Sequence, residues 1–374
     1  MKNAMSRKQP IDRLTIQGFK SIRSLDSFPL QCLNVLIGSN GSGKSNFVSY
    51  FRMLGELVEG RLQVWTKKQG AAERVLSFGL KETTQLESHI EFGRNGYRFV
   101  LEATADGGFT FSEESLSWVG PDCGERWTRL GSGHSEANLK TRWEGSGAES
   151  VTDCCYDSIS NWRVFHFHDT SETAGVKRVG ALHDNDSLRS DASNLAAFLY
   201  RLLKESPAVY RQIRKTVRLA IPFFDDFSLK PKKLRGGEQQ IRLLWRQKDS
   251  DYALWPSQLS DGSLRFICLV TALLQPDPPS TIIIDEPELG LHPYAITLLA
   301  SLLRSASKRM QVVVATQSVP LVNQFTLEDL VIVEREEGAT VFRRPCEKDF
   351  KVWLNEYSVG ELWEKNLLGG RPTK

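Results

Sequence analysis

The chain has no long apolar run. No apolar run in its 374 residues comes near the roughly 20 consecutive apolar residues that a helix needs to span a bilayer. Residues 1–10 are polar and lack the apolar segment of a secretory signal. We therefore expect a soluble protein that resides in the cytoplasm and has no membrane partner.

Cysteine pairs at metal-binding or redox spacing are also absent. None of the six cysteines belongs to a CxxC pair, and the adjacent Cys154 and Cys155 form a poor framework for a disulfide or a zinc ion. We interpret the cysteines as reduced thiols. Long heptad repeats are missing as well, which argues against a coiled-coil arm.

Net charge is small, since 48 Lys or Arg residues against 45 Asp or Glu residues leave +3. A balance this close to neutral does not by itself indicate a nucleic-acid-binding protein. The positive charge is concentrated, however, because residues 201–247 hold twelve Lys or Arg against four Asp or Glu, with a dense group at 230–235. This region is either a groove for nucleic-acid phosphates or a solvated helical face whose lysine stems cover apolar surface. We expect a groove that binds nucleic-acid phosphates, and the sequence does not distinguish DNA from RNA.

Length and composition predict one large unit that carries a second lobe. Hydrophobic residues make up 40% and charged residues 25% of the chain, as in ordinary globular proteins. A chain of 374 residues exceeds what one core usually covers. We predict an N-terminal lobe over 1–130, a flexible loop over 131–160, a strand with a basic helical lobe over 161–250, and a C-terminal lobe over 251–374.

The apolar patterns predict an α/β protein with a parallel sheet as its core. Three strands are predicted within 11–37, and the third runs into a glycine-rich loop and then a helix over 46–59. Residues 74–130 alternate short β-rich runs with polar turns, which is typical of an antiparallel meander. Helices broken at Pro207 are predicted over 194–220. Further predicted elements are a strand within 162–171, a helix after Ser263, a strand over 281–285, a helix from Pro293, and strands over 311–316 and 330–335.

The glycine-rich loop at 38–45 fits the pattern G-x-x-x-x-G-K-S between a strand and a helix, which is the context that a phosphate-binding P-loop requires. Its glycines let backbone N–H groups surround phosphates at the positive end of a helix. Lys44 can reach the β- and γ-phosphates, and Ser45 can ligate Mg²⁺. A plain Gly/Ser turn is the alternative. The residues predicted to bind ATP here are Gly38, Ser39, Asn40, Gly41, Ser42, Gly43, Lys44, Ser45 and Asn46.

An apolar run at 281–284 ends in two carboxylates, Asp285 and Glu286. Such a run is typical of a central parallel strand whose end faces the phosphates. We expect Asp285 to hold Mg²⁺ through water and Glu286 to orient or polarise the attacking water. The alternative is a simple turn at the end of a strand. Glu288 and His292, which follow, either shape a dimer face or cap the next helix.

A short polar turn at 259–265 leads into an apolar helix. In isolation such a turn is a common helix N-cap. Its place some twenty residues before the acidic strand makes it similar to the signature motif of ABC-type ATPases, in which a serine and a helix N-terminus contact the γ-phosphate of the partner subunit. We therefore assign Ser260 and Gly262 to ATP binding and expect a homodimer with composite ATP sites.

Gln317 follows the strand predicted over 311–316, beside the expected phosphate site. ABC-type heads usually carry a histidine here, and a glutamine can hydrogen-bond phosphate or water but cannot become cationic. We count Gln317 with Glu286 and Lys44 as catalytic and expect hydrolysis that is slow or stimulated by a partner. For the glutamine-bearing loop of these ATPases, Gln85 is a candidate.

Four motifs together resemble the RecF/SMC/OLD-type branch of ABC ATPases, namely LTIQGFKSI, GSNGSGKS, LSDGSLRF and IIIDEPELGLHP. The resemblance covers most of the chain. The segments SNLAAFLYRLL at 193–203 and NEYSVGELWEKNLLGGRP at 355–372 are further similar to a compact bacterial subfamily of AAA family ATPases. Members of that subfamily are often encoded beside a Toprim-like protein, and AbiLi-like members belong to phage-defence systems.

The resemblance implies an ABC-type head that dimerises around ATP and Mg²⁺. It further implies regulation of a partner effector or nuclease, Toprim-like or other, in DNA metabolism or phage defence. The alternative is a scaffold that ATP locks into a defence or repair complex without turnover, and Gln317 favours it. Trp353 and Trp363 are either core residues or a docking site for a partner.

Overall fold

The computed structural model of the chain describes residues 8–120, 124–145 and 150–370. Cys123 and the last two residues of the motif at 355–372 lie outside the described residues. The strands are β1 (Arg13–Phe19), β2 (Ile22–Pro29), β3 (Leu33–Ile37), β4 (Gln85–Phe92), β5 (Asn95–Ala103), β6 (Phe109–Val119), β7 (Glu125–Gly131), β8 (Arg163–Phe165), β9 (Gly180–Ala181), β10 (Phe224–Phe227), β11 (Lys232–Lys233), β12 (Gln239–Ile241), β13 (Trp245–Gln247), β14 (Ala253–Leu254), β15 (Thr281–Asp285), β16 (Gln311–Thr316), β17 (Leu330–Glu336) and β18 (Ala339–Arg343). The α-helices are α1 (Lys44–Val58), α2 (Leu62–Gln69), α3 (Ala72–Val75), α4 (Leu139–Glu144), α5 (Val151–Ser160), α6 (Leu195–Glu205), α7 (Pro207–Ala220), α8 (Asp261–Leu274), α9 (Pro293–Ala306), α10 (Val319–Val322), α11 (Glu347–Phe350) and α12 (Val359–Glu364).

A six-stranded mixed sheet forms the centre of the fold, in the order β18-β17-β3-β16-β15-β8. The strands from β17 to β8 are parallel, and β18 pairs antiparallel with β17. Since β3, β15 and β16 run in the same direction, they end at the same end of the sheet, at Ile37, Asp285 and Thr316. The glycine-rich loop, the acidic pair and Gln317 therefore emerge together.

Alternate residues of the parallel strands pack on opposite faces of the central sheet. Val35, Ile284 and Val314 belong to a core cluster shared with helices α6 to α9. Ile283 and Val313 belong to a second cluster shared with α1 and the antiparallel sheet. Burial on both faces explains why these strands read as continuous apolar runs in the sequence.

The second six-stranded sheet is antiparallel, in the order β2-β1-β4-β5-β6-β7. It confirms the meander predicted within 74–130. Helix α1 packs between this sheet and the central one through buried side chains such as Phe47, Phe51 and Leu54. Because α1 begins at Lys44, packing on both sides of the helix fixes the end of the glycine-rich loop.

A helical lobe follows β8. Helices α6 and α7 meet at Ser206 and Pro207, which confirms the predicted break. Two small sheets complete the lobe, in the orders β10-β13-β14 and β11-β12-β9. Strands β11 and β12 form a hairpin whose residues 232–239 are all exposed.

The loop predicted over 131–160 is wrong where the structure describes it, because α4 and α5 lie there. Ser150 and Asp153 form a capping box at the start of α5. Cys155 and Ile159 are buried against the antiparallel sheet, so tertiary packing stabilises a helix that the polar composition concealed. The strand expected within 162–171 is limited to β8.

The predicted α/β class, with a parallel core, an antiparallel meander and a helical lobe, is confirmed. The division of the chain into four parts stays a prediction. Among the described helices, none combines the length and apolarity needed to cross a bilayer. The described cysteines Cys32, Cys154, Cys155, Cys268 and Cys346 are free thiols.

Candidate nucleotide-binding site

The glycine-rich loop is held from behind by the central sheet. A side chain at Gly38 would place its Cβ 2.2 Å from the carbonyl oxygen of Val333, and one at Gly43 would place it 2.0 Å from Oγ1 of Thr340. Gly43 also has a φ of 112°, a conformation that favours glycine. Thr340 is buried and donates to the carbonyl oxygen of Ser42 at 2.9 Å. Both glycines are therefore required by their surroundings as well as by the motif.

The start of α1 presents free donors to the cavity in front of the loop. Gly43 is its N-cap and no side chain caps the first turn, so its leading N–H groups keep their capacity to bind an anion. Lys44 donates from Nζ to the carbonyl oxygens of Gly38 at 2.7 Å and Ser39 at 2.9 Å. Burial lowers the pKa of Lys44, and the negative charges of Glu286 and Asp285 oppose that shift.

A cavity of about 140 Å³ lies between the loop and the ends of β15 and β16. Every residue that lines it was predicted as a site residue, and the lining consists of Asn40, Gly41, Gly43, Lys44, Ser45, Asn46, Glu286 and Gln317. The predicted residues Gly38, Ser39 and Ser42 do not line this cavity, and Ser42 is 1% exposed. The structure thus brings the loop, Glu286 and Gln317 together, as expected for one phosphate site.

Asp285 and Ser45 are suited to hold a magnesium ion. Oδ1 of Asp285 is buried and has no hydrogen-bond partner within the described residues, and the Ser45 hydroxyl is close enough to favour the ionised carboxylate. Burial raises the pKa of Asp285, and the nearby Glu286 raises it further. A buried carboxylate oxygen without a partner, beside a hydroxyl, fits the all-oxygen ligand set that Mg²⁺ prefers.

Glu286 adopts a left-handed backbone conformation, with a φ of 43°, that turns its side chain toward Gln317. Its backbone N–H donates to the carbonyl oxygen of Ala315 at 2.8 Å, which ties the turn to the neighbouring strand. The Gln317 amide donates from Nε2 to Oε1 of Glu286. Strain of this kind persists only where surrounding contacts enforce it, and it is common at functional sites.

Glu288 lies behind this pair and is 9% exposed. Its Oε1 accepts from the Thr316 hydroxyl at 2.5 Å and from the Gln317 backbone N–H at 3.4 Å. Burial raises the pKa of Glu288. Glu288 therefore fixes the backbone that carries Gln317, whereas His292 caps α9 by accepting at Nδ1 from the Tyr294 N–H at 3.3 Å.

The signature turn lies outside the cavity and is joined to the acidic segment. Ser260 is exposed and caps α8 by accepting from the Ser263 N–H at 3.2 Å. A side chain at Gly262 would place its Cβ 2.0 Å from the carbonyl oxygen of Gly290. The guanidinium of Arg265 donates to the Phe167 carbonyl oxygen at 2.8 Å and to that of Leu289. The turn, the loop after β8 and the segment after β15 are thereby locked together.

His168 and Arg52 are near the site although sequence analysis gave them no role. His168 Nε2 lies 3.0 Å from the carbonyl oxygen of Asp285, and the charge of Arg52 lowers the pKa of the Asp285 carboxyl. A polar end to the predicted strand within 162–171 was the available signal for His168. Gln85 begins β4 and does not line the cavity.

Comparisons with known proteins identify the family of the chain and its fold. The family model described as "AAA domain, putative AbiEii toxin, Type IV TA system" matches residues 33–323. The chain belongs to this AAA-domain family. No curated protein matches it.

Solved structures of SMC heads share the fold. One is the SmcHead bound to the C-winged helix domain of ScpA, with a TM-score of 0.60, 14% identity, and coverage of 91% of this chain and 99% of that chain. Another is the Smc head domain with an extended coiled coil bound to the C-terminal domain of ScpA derived from Pyrococcus furiosus, with a TM-score of 0.56, 14% identity, and coverage of 93% and 99%. The predicted AAA-type family and SMC-head-like fold are confirmed, whereas ATP hydrolysis and the Toprim-like partner stay predictions.

The two tryptophans for which a core role and a docking role were both open differ in accessibility. Trp363 is 7% exposed and packs within the core, which confirms the core alternative for this residue. Trp353 is 43% exposed and stays a candidate for the docking role.

Proposed function

We propose that this chain binds ATP with Mg²⁺, hydrolyses it slowly or on stimulation, and dimerises around it. The observation that carries the proposal is the convergence of Lys44, Glu286 and Gln317 on one cavity, with Asp285 next to Glu286 in the chain and near Ser45. Phosphoryl transfer to water requires a phosphate cradle, a cation site and a group that orients the water. The cavity supplies all three from the carboxyl ends of neighbouring parallel strands.

Each residue has a role in this proposal. Lys44 exchanges its two carbonyl partners for the β- and γ-phosphates, and the N–H groups at the start of α1 bind the remaining phosphate oxygens. Ser45 and Asp285 would hold Mg²⁺, which would neutralise phosphate charge when bound. Glu286 accepts a hydrogen bond from the attacking water and orients it, while Gln317 fixes the Glu286 carboxylate.

Dimerisation is proposed because Ser260 cannot serve its own cavity. Ser260 is exposed at the start of α8, and it does not line the cavity that holds Lys44. A second copy can bring its own Ser260 and the N-terminus of its α8 to the γ-phosphate. The rigid contact between Gly262 and Gly290 would then couple closure of the dimer to the acidic segment.

An open groove of about 500 Å³ beside Asn46 is our candidate for the nucleoside. Lys20, Ser21, Arg74 and Phe78 are among the residues that line it. Phe78 is 36% exposed, and the Arg23 guanidinium lies 4.7 Å from the centre of its ring. An exposed aromatic ring next to hydroxyl and cationic groups suits a base and a ribose.

Nucleic acid is the proposed macromolecular partner. The surface proposed to bind it is smaller than the basic region 201–247 that the sequence indicated. Arg214 pairs with Asp226 at 2.8 Å and Arg218 pairs with Asp225, so part of the positive charge on the helices is structural. The exposed β11–β12 hairpin carries the cations Lys232, Lys233 and Arg235. Within the described residues, none of the three forms an ion pair with an acidic side chain. We propose that this hairpin contacts phosphates during DNA metabolism or phage defence, where the chain regulates an effector.

A scaffold that ATP locks without turnover is the second candidate, and Gln317 favours it because an amide cannot carry a proton for the reaction. Two measurements distinguish the ATPase from the scaffold. They are the rate of phosphate release with and without DNA, and the molar mass of the protein in ATP and Mg²⁺. Release under either condition supports the ATPase. An ATP-dependent dimer that releases no phosphate supports the scaffold, and failure to bind ATP contradicts both.

A further inference from the structure

The segment at 358–370, here called the C-terminal clamp, lies against the start of the P-loop. Ser358 caps α12, and its backbone N–H donates to Oε2 of Glu361 at 2.7 Å. The chain then turns back so that the Ser39 N–H donates to the carbonyl oxygen of Gly370 at 2.8 Å. The motif that resembles AAA family ATPases near the end of the chain is therefore in direct contact with the first residues of the P-loop.

Buried contacts anchor the clamp to the core. Leu362 is 0% exposed and Leu368 is 2% exposed, and both belong to the cluster beneath the central sheet. The Gly360 N–H donates to Oδ1 of Asn323 at 2.7 Å, and a Cβ at Gly360 would lie 2.5 Å from the same oxygen. Glycine at this position allows α12 to approach α10 closely.

Two contacts fix the end of the clamp. The Gly370 N–H donates to Oε1 of Glu334 at 2.6 Å, while its carbonyl oxygen accepts from Ser39. Gly370 has a φ of 84°, and a Cβ built on it would lie 3.5 Å from Cα of Gly38. Glu334 on β17 therefore holds Gly370, and Gly370 holds the first two residues of the P-loop.

The clamp also borders Gln317. A cavity of about 220 Å³ lies between them, lined by Gly38, Ser39, Gln317, Val319, Trp363, Glu364 and Gly370. The indole N–H of Trp363 is buried and has no acceptor among the described residues. A change in the clamp therefore reaches both the P-loop and the residue that holds Glu286.

We propose that the C-terminal clamp is a positioning element of the nucleotide site, with Glu334 as the residue that fixes it. The Gly370 carbonyl orders Ser39, so the P-loop is already in the conformation that receives phosphate before ATP arrives. Ordering a loop before binding removes an entropic cost that binding would otherwise include. This inference rests on the proposed binding of ATP.

The ion pair between Glu334 and Arg343, at 2.5 Å, provides a matched control. Glu334→Ala removes the acceptor of the Gly370 N–H and also breaks this pair, whereas Arg343→Ala breaks the pair and leaves the acceptor. Glu334→Gln keeps an acceptor oxygen without the charge. We expect Glu334→Ala to weaken ATP binding about tenfold and to raise KM with kcat little changed, while the other two variants stay within about twofold of the parent.

The measurements are ATP titration calorimetry, steady-state phosphate release and the thermal midpoint without nucleotide. An unchanged midpoint separates positioning from loss of fold. Parent-like ATP affinity in Glu334→Ala, or equal weakening in Arg343→Ala, overturns the clamp. If the parent itself binds no ATP, the proposed function fails instead, and exchange of the Ser39 amide with deuterium still tests whether Glu334→Ala releases the loop.

Discussion

The amide of Gln317 donates a hydrogen bond to the carboxylate of Glu286 across the carboxyl ends of two adjacent strands. The bond joins the residue proposed to orient water to Gln317, which follows the end of β16. Because an amide donates without changing its charge, Glu286 stays free to accept a hydrogen bond from water. The pair therefore supports water orientation, and because the amide cannot accept a proton, the proton that leaves the water passes to the Glu286 carboxylate or to solvent.

Glu286→Gln is predicted to stop turnover and retain nucleotide binding. A glutamine keeps an oxygen for the Gln317 amide but loses the negative charge that polarises water, and loss of a general base typically costs about 100-fold or more. The ATP-bound dimer should accumulate, which light scattering after gel filtration measures. The matched control is Glu328→Gln at an exposed position. Parent-like phosphate release would remove Glu286 from its assigned role.

Lys44→Ala is predicted to abolish nucleotide binding. The ammonium group contributes charge-assisted hydrogen bonds to phosphate, each worth about 1.5–3 kcal/mol, so affinity should fall by about 100-fold or more. Titration with a fluorescent ATP analogue measures the loss. Lys68→Ala, on the exposed side of α2, should bind as the parent does. Similar affinities in the two variants would contradict the assignment of the P-loop lysine.

Ser260→Asp separates capping from phosphate contact. Aspartate is as good an N-cap as serine, so α8 and the thermal midpoint should be preserved. Its negative charge would face the γ-phosphate of the partner, so the dimer that Glu286→Gln accumulates should disappear in the double variant. Ser260→Thr, which keeps the hydroxyl, is the control. If the double variant still dimerises on ATP, the signature turn does not meet phosphate.

The sequence was sufficient for the parts of the site that are local. The residues from Gly38 to Asn46 and the pair Asp285 and Glu286 each follow a buried strand, so pattern and spacing place them at one end of a parallel sheet. The partners of the loop are remote. Thr340 supports Ser42 from 298 positions away, and Gly370 reaches Ser39 from the far end of the chain.

The sequence around helix α5 and Arg265 did not determine the structure that these residues adopt. Helix α5 begins with a capping box at Ser150, but its polar composition favours a loop. The helix is stabilised by packing of Cys155 on the antiparallel sheet, which the local sequence does not indicate. Arg265 reads as an ordinary helical cation in the sequence. Its buried contacts with the carbonyl oxygens of Phe167 and Leu289 depend on three segments meeting in the fold.

His166 is predicted to make the fold sensitive to mild acid. Burial lowers its pKa, the charge of Arg52 lowers it further, and its Nδ1 has no partner among the described residues. The unfolded chain therefore binds a proton near pH 6.5 that the folded chain resists, so stability from this group is present above about pH 6.5 and is lost as pH falls. Urea unfolding at about pH 7.5 and about pH 5.5 measures how much the free energy of unfolding falls in acid. This fall should be smaller in His166→Gln than in the parent, by less than about 1.4 kcal/mol. His183→Gln, at an exposed position, is the control, and equal pH dependence in parent and His166→Gln would contradict the prediction.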